Sequence, residues 1–208
     1  MTLKDDAYRY IKQEIILNHF HPQQVISENQ IADDLSMSRT PVREALKQLG
    51  ADGLVILHGR ENIVAPITDE MIDEVRELRT LLEKYALTKT ISLIPAVKLD
   101  ELAAEFKQAA KVESWEEYLA VDTKFHTLIT HLKGHERLQQ FLKILQGQTD
   151  RIQRLSAYDA TRMENSLQEH LRLIDLIKAH DLTQAEIELE SHLHHVYHTA
   201  HQALNYFE

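Results

Sequence analysis

A chain of 208 residues is long enough for one large domain or two modest ones, each able to bury a core, and its 43% hydrophobic and 27% charged residues are ordinary globular values. It has no cysteine, which excludes disulfides, thiolate metal sites and cysteine nucleophiles, so any metal must be held by His, Asp or Glu. The net charge of −10 argues against binding nucleic acid over the whole surface, and the absence of any apolar run long enough for a signal core or a bilayer span predicts a cytoplasmic protein with no membrane partner.

From the N-terminus, residues 4–18 place Ala7, Tyr8, Ile11 and Ile15 at helical spacing, and His21-Pro22 ends that helix. Ser27, with Gln30 at the capping-box position, predicts a short second helix to about Leu35. After the polar turn SMS, a third helix runs from about Arg39 to Leu49, with Pro41 in its tolerant first turn and Gly50 and Gly53 closing it. LVIL and NIVA, joined by His58-Gly59-Arg60-Glu61, predict a β-hairpin. Three helices and a hairpin follow the order of a winged helix-turn-helix, assigned to residues 1–66. Beyond Ala65-Pro66 no strand signal appears. Helical stripes at about 69–91, 96–112, 114–132, 136–156, 161–180 and 182–206, broken at Pro95, Gly134 and Asp159-Ala160-Thr161, predict an antiparallel all-α bundle over residues 69–208. The expected fold is therefore mostly α.

The third helix carries Arg39, Arg43 and Lys47 at i, i+4 spacing on one face, with Val42, Ala45, Leu46 and Leu49 on the other. A DNA-reading helix needs this division, because one face must anchor and the other must enter the major groove. Arginine suits bidentate contact with guanine, and Lys47 suits phosphate. Ser38 and Thr40 at the helix N-terminus, and Gly59 and Arg60 at the hairpin tip, are further candidate DNA contacts. An ordinary amphipathic helix with three solvated charges would show the same spacing. Residues 1–66 carry seven Lys/Arg against nine Asp/Glu, so local clustering must carry the case for DNA.

The sequence motif adds what spacing leaves open. The stretch from Ser27 to Val55 closely resembles the signature of GntR-family regulators, whose Ser-Arg-Thr-Pro-Val-Arg-Glu-Ala-Leu core stands unaltered at Ser38 to Leu46. The resemblance spans residues 5–66 and implies DNA contacts from Arg39 and Arg43, backbone contacts from Ser38 and Thr40, and a wing contact near Gly59. It departs at Asn29, where many relatives have Arg or Glu, and at Glu61-Asn62, where the wing glycine often stands.

Polar residues interrupt three apolar stripes of the second half. They are Asp122 and His126 among Trp115, Leu119 and Ile129; His170 among Met163, Leu167, Ile174 and Ile177; and His192 among Ala185, Leu189 and Val196. Each alone reads as a hydrogen-bonded core residue. Together they suggest a His₃Asp cage for one divalent ion per subunit, with zinc, nickel, manganese and iron all compatible with the ligand types. His131, His135, His194, His195, His198 and His201 lie off these stripes and read as solvated. Arg79, among Ile72, Val75, Leu82 and Ala86, is either a carboxylate clamp or half of an Arg79–Glu83 pair, and Gln148 is a weaker effector-binding candidate.

Residues 69–208 also resemble the FCD ligand-binding domain that follows the winged helix in one GntR subfamily, in its shorter, VanR-type, six-helix form. The resemblance matches Asp122, His126, His170 and His192 to the metal ligands. It implies a homodimer on an inverted-repeat operator in double-stranded DNA, repression relieved by effector, and a small carboxylate effector, such as an organic or sugar acid, at the metal. A helical-bundle metalloenzyme using the same four residues is the alternative. No HExxH or ExxH motif or obvious general base supports it.

Overall fold

The computed structural model describes residues 2–157, 159 and 161–207. Ala160, within one predicted break, lies outside the described residues. The chain forms two compact units, residues 1–68 with 144–151, and residues 69–143 with 152–208.

The first unit begins with α1 (Leu3–Ile16), started by a reciprocal capping box between Thr2 and Asp5. Its Ala7, Ile11 and Ile15 are buried in one core with Val42, Ala45, Leu46 and Leu49 of α3 (Arg39–Ala51). Between them lie β1 (Val25–Ile26) and α2 (Glu28–Asp34). Ser27 caps α2 by accepting from the Gln30 amide at 3.3 Å, but the Gln30 side chain bonds Asp34 instead of returning to the cap. The predicted capping box is therefore half formed. Helix α3 runs through Gly50, and Gly53, at φ +72°, makes the turn into β2 (Val55–His58). Strand β2 pairs antiparallel with β3 (Glu61–Val64) from Val55↔Val64 to His58↔Glu61. Gly59 and Arg60 form the turn, and Gly59 takes φ +61°, a conformation that costs glycine least. Strand β1 joins the other edge of β3, giving the order β1-β3-β2.

The second unit is helical throughout its described elements: α4 (Asp69–Thr90), α5 (Ala96–Lys111), α6 (Trp115–Thr130), α7 (Glu136–Ser156), α8 (Arg162–Lys178) and α9 (Leu182–Phe207). Ser114 caps α6 by accepting from the Glu117 amide. On α6 the buried stripe contains Tyr118, Val121 and Phe125 beside Asp122, His126 and Ile129, while Trp115 and Leu119 are only half-buried. The expected stripe there was displaced towards neighbouring positions at its N-terminal end, because the bulky Tyr118 and Phe125 take the space against Phe106 of α5. No helix among the described residues is long and apolar enough to cross a membrane.

Candidate nucleic-acid interface and metal centre

On the first unit, Arg39, Thr40, Arg43 and Lys47 are exposed while the opposite side of α3 is fully buried, so the helix is anchored and its polar face is open. Ser38 occupies the N-cap but makes no capping hydrogen bond. Its side chain thus leaves the first amides of α3 uncapped. Arg39 contacts Asn29 at 3.4 Å, and Arg43 is held by Glu28 of α2 through a forked ion pair with Nη2–Oε2 at 2.8 Å. Gly59 and Arg60, exposed at the hairpin tip, line a cleft of about 450 Å³ together with Arg43 and Lys47.

In the second unit, Asp122 and His126 of α6, His170 of α8 and His192 of α9 converge. All four are buried, and one ligand atom from each lies within 4.8 Å of the other three. Each imidazole has an acceptor at Nδ1. His126 Nδ1 donates to Glu83 at 2.6 Å, His170 Nδ1 to the Ser166 carbonyl at 2.8 Å, and His192 Nδ1 to Glu169 at 2.7 Å. These acceptors fix the Nδ1–H tautomer, so in each neutral ring Nε2 is a bare lone pair. The three Nε2 atoms are buried without a hydrogen-bond partner.

Burial favours the neutral form of two of these rings. Burial, helped by the nearby His170, pushes the pKa of His192 down to about 3, and burial also lowers that of His170. With Nε2 bare on His170 and His126, Asp122 Oδ1 faces these atoms at 3.1 and 3.7 Å as lone pair against lone pair. A divalent cation held by Asp122, His126, His170 and His192 would relieve that repulsion. Ligand atoms that all lie within 4.8 Å of one another are close enough to surround a single ion. The donor set fits a divalent ion.

Arg79 and Glu83 of α4 stand behind this cluster. Arg79 Nε donates to Glu83 Oε1 while Glu83 Oε2 takes His126, and Arg79 Nη1 is buried without a partner. Burial opposes both charges. The Arg79 guanidinium and His126 nevertheless draw the pKa of Glu83 down to about 2, and Glu83 leads the groups that raise that of Arg79. Gln148 does not join the site. Its amide donates to the Gly53 carbonyl at 2.6 Å within the first unit, to which residues 144–151 belong. The amide at the cluster is Gln153, which donates to Asp122 Oδ2 at 2.6 Å and whose Oε1 is buried without a partner. Sequence reasoning missed Gln153, Glu83 as a support for His126, and Glu169. The position of Glu83, four residues after Arg79, was the available signal.

Residues 3–64 match the family described as bacterial regulatory proteins of the gntR family, and residues 74–195 match the FCD domain. The chain belongs to the GntR regulators that carry an FCD domain. The gluconate operon transcriptional repressor of Bacillus subtilis is 28% identical over 168 residues, 79% of this chain and 68% of the repressor. The fold is that of Escherichia coli McbR/YncC, with TM-score 0.83, 20% identity and coverage of 97% of this chain and 98% of that one. The metal-free FCD domain of TM0439 superposes with TM-score 0.62 and 23% identity, over 68% of this chain and 99% of the other.

The chain is thus a transcriptional regulator and not an enzyme. Within this GntR architecture the exposed face of α3 and the hairpin tip fall inside the gntR match. Arg79 and the four converging residues fall inside the FCD match.

Proposed function

We propose that this GntR–FCD regulator is a cytoplasmic, homodimeric repressor whose operator binding is tuned by a small carboxylate effector at a metal centre. The observation that carries the reading is the set of three imidazoles whose unpartnered Nε2 atoms gather with one buried carboxylate. Each unpartnered buried polar atom costs about 1–3 kcal/mol, and a divalent ion relieves all of them at once. Asp122, His126, His170 and His192 hold the ion, and zinc, nickel, manganese and iron all suit these donors. Six-coordinate geometry would leave two positions for an effector carboxylate, and Arg79, linked to His126 through Glu83, has an unpartnered Nη1 to offer it. Ser38, Arg39, Thr40, Arg43, Lys47, Gly59 and Arg60 contact the operator. The effector changes operator affinity only through a difference in its own affinity for the bound and free forms.

The test is elemental analysis of the purified full-length protein, of His170→Ala and of Asp122→Asn. The wild type should hold about one equivalent of metal and both variants far less, while all three still bind operator. Equal metal content, or a wild type that neither contains metal nor takes it up on titration, overturns the reading.

A further inference from the structure

The exposed cation best placed to read a base does not stand alone. Glu28, the first residue of α2, reaches Arg43 on α3 with both carboxylate oxygens. Arg43 Nε lies 3.1 Å from Oε1 and 3.2 Å from Oε2, and Nη2 lies 2.8 Å from Oε2. Asn62, on the wing strand β3, lines the same cleft as this carboxylate. An ion pair this open, with side chains 22% and 55% exposed, adds little to stability, so stability does not account for it.

We propose that Glu28 is a specificity-determining positioning residue, clamping the Nε/Nη2 edge of Arg43 so that its outer Nη1/Nη2 edge is presented to a base. The inference rests on α3 being the DNA-reading helix. A guanidinium has two forks, and the carboxylate occupies one of them. The free fork carries two parallel N–H donors, which match the O6 and N7 acceptors of guanine in the major groove. Without the clamp, a long side chain samples many rotamers and can settle on a phosphate as readily as on a base edge. With it, the plane of the guanidinium is set before DNA arrives. The carboxylate has an opposite effect on general affinity, because it places a negative charge on a face that must approach phosphates. Glu28 therefore weakens binding to any DNA while sharpening the choice among sequences. The clamp joins α2 to α3.

This division predicts a signature that a structural role does not produce. A duplex selected from a random library with the full-length wild-type protein serves as operator. Its single-base-pair variants and a random-sequence duplex serve as competitors. E28A and E28Q should bind the random duplex about 2–3-fold tighter at low salt. Their discrimination at the base pair lost in R43A should fall about 10-fold, with other positions unchanged. In the R43A background, E28A should add nothing further to the specificity loss.

Three results overturn the proposal while leaving the reading helix intact. Weakening that is uniform across sequences and follows a drop in melting temperature assigns Glu28 to support of the α2 N-terminus. Tighter operator binding with discrimination preserved makes it a latch that DNA must break. A specificity change from E28A that persists without Arg43 means that Glu28 contacts a base itself. If R43A alone alters no position, the assignment of Arg43 as a reader fails, and the clamp fails with it.

Discussion

Arg79 sits in an apolar stripe with a charge that its surroundings only half satisfy. Its Nε is paired with Glu83 and its Nη1 is not paired at all, although the residue is buried. The i, i+4 pair with Glu83 is formed, and the same side chain keeps a spare donor. A purely structural arginine would gain nothing from the spare donor, because burying it unpaired is costly. Arg79→Lys keeps a cation for Glu83 but loses the planar fork. The expected outcome in a thermal-shift screen of small carboxylates is specific. Wild-type protein should be stabilised by a carboxylate ligand, by about 2.7 kcal/mol at a hundredfold excess over Kd. The lysine variant should fold yet lose most of that stabilisation. Equal shifts in the two proteins would return Arg79 to a structural role.

At the scale of elements, the division of α3 into a buried and an exposed face decides both stability and reading. Leu46 is fully buried against α1, and Leu46→Ala should cost about 2–5 kcal/mol through lost transfer energy and the cavity left behind. Chemical denaturation should register that loss, and operator binding should weaken as the population of docked α3 falls. A change below about 0.5 kcal/mol would mean that α3 is anchored elsewhere. The helices were legible because long periodic stripes and Pro or Gly breaks bound them closely, as at Pro95 before α5 and Gly134 before α7. Strand β1 was not legible. Two residues carry no alternation, and Val25–Ile26 is a strand only because β3 offers an open edge. Gln148 was a weak effector candidate in the sequence, yet on α7 Phe141 is largely exposed and Gln148 belongs to the first unit. A helix whose segments fall in two units has no single apolar face, so periodicity picked Gln148 where Gln153 approaches Asp122. The convergence of Asp122, His126, His170 and His192 was legible, since a polar break in each of three stripes needs a common partner. Their Nδ1 acceptors come from neighbouring helices or a main-chain carbonyl and could not be counted from spacing.

The molecule as a whole must present two reading helices to an inverted repeat if it acts as proposed, which requires a face for a second copy. Helix α4 offers one. Leu78, Leu81 and Tyr85 follow one another at steps of three and four on the side opposite the buried Ile72, Val75, Arg79 and Ala86, and all three are exposed, Leu81 by 67%. Apolar side chains in such a row on an otherwise charged helix mark an interaction surface more often than chance exposure. Leu81→Asp puts a charge at the middle of that row, and two-fold symmetry makes the charge face its own copy or lie close to it. The variant should sediment as a monomer at concentrations where wild-type protein is a dimer. Its metal content should be unchanged, because Leu81 lies on the face away from Arg79 and Glu83. Loss of the second binding domain removes the gain from effective concentration, so affinity for the full operator should fall roughly 10²-fold or more, towards that for a half-site. A Leu81→Asp protein that remains dimeric and binds operator normally would place the two-fold contact on another surface.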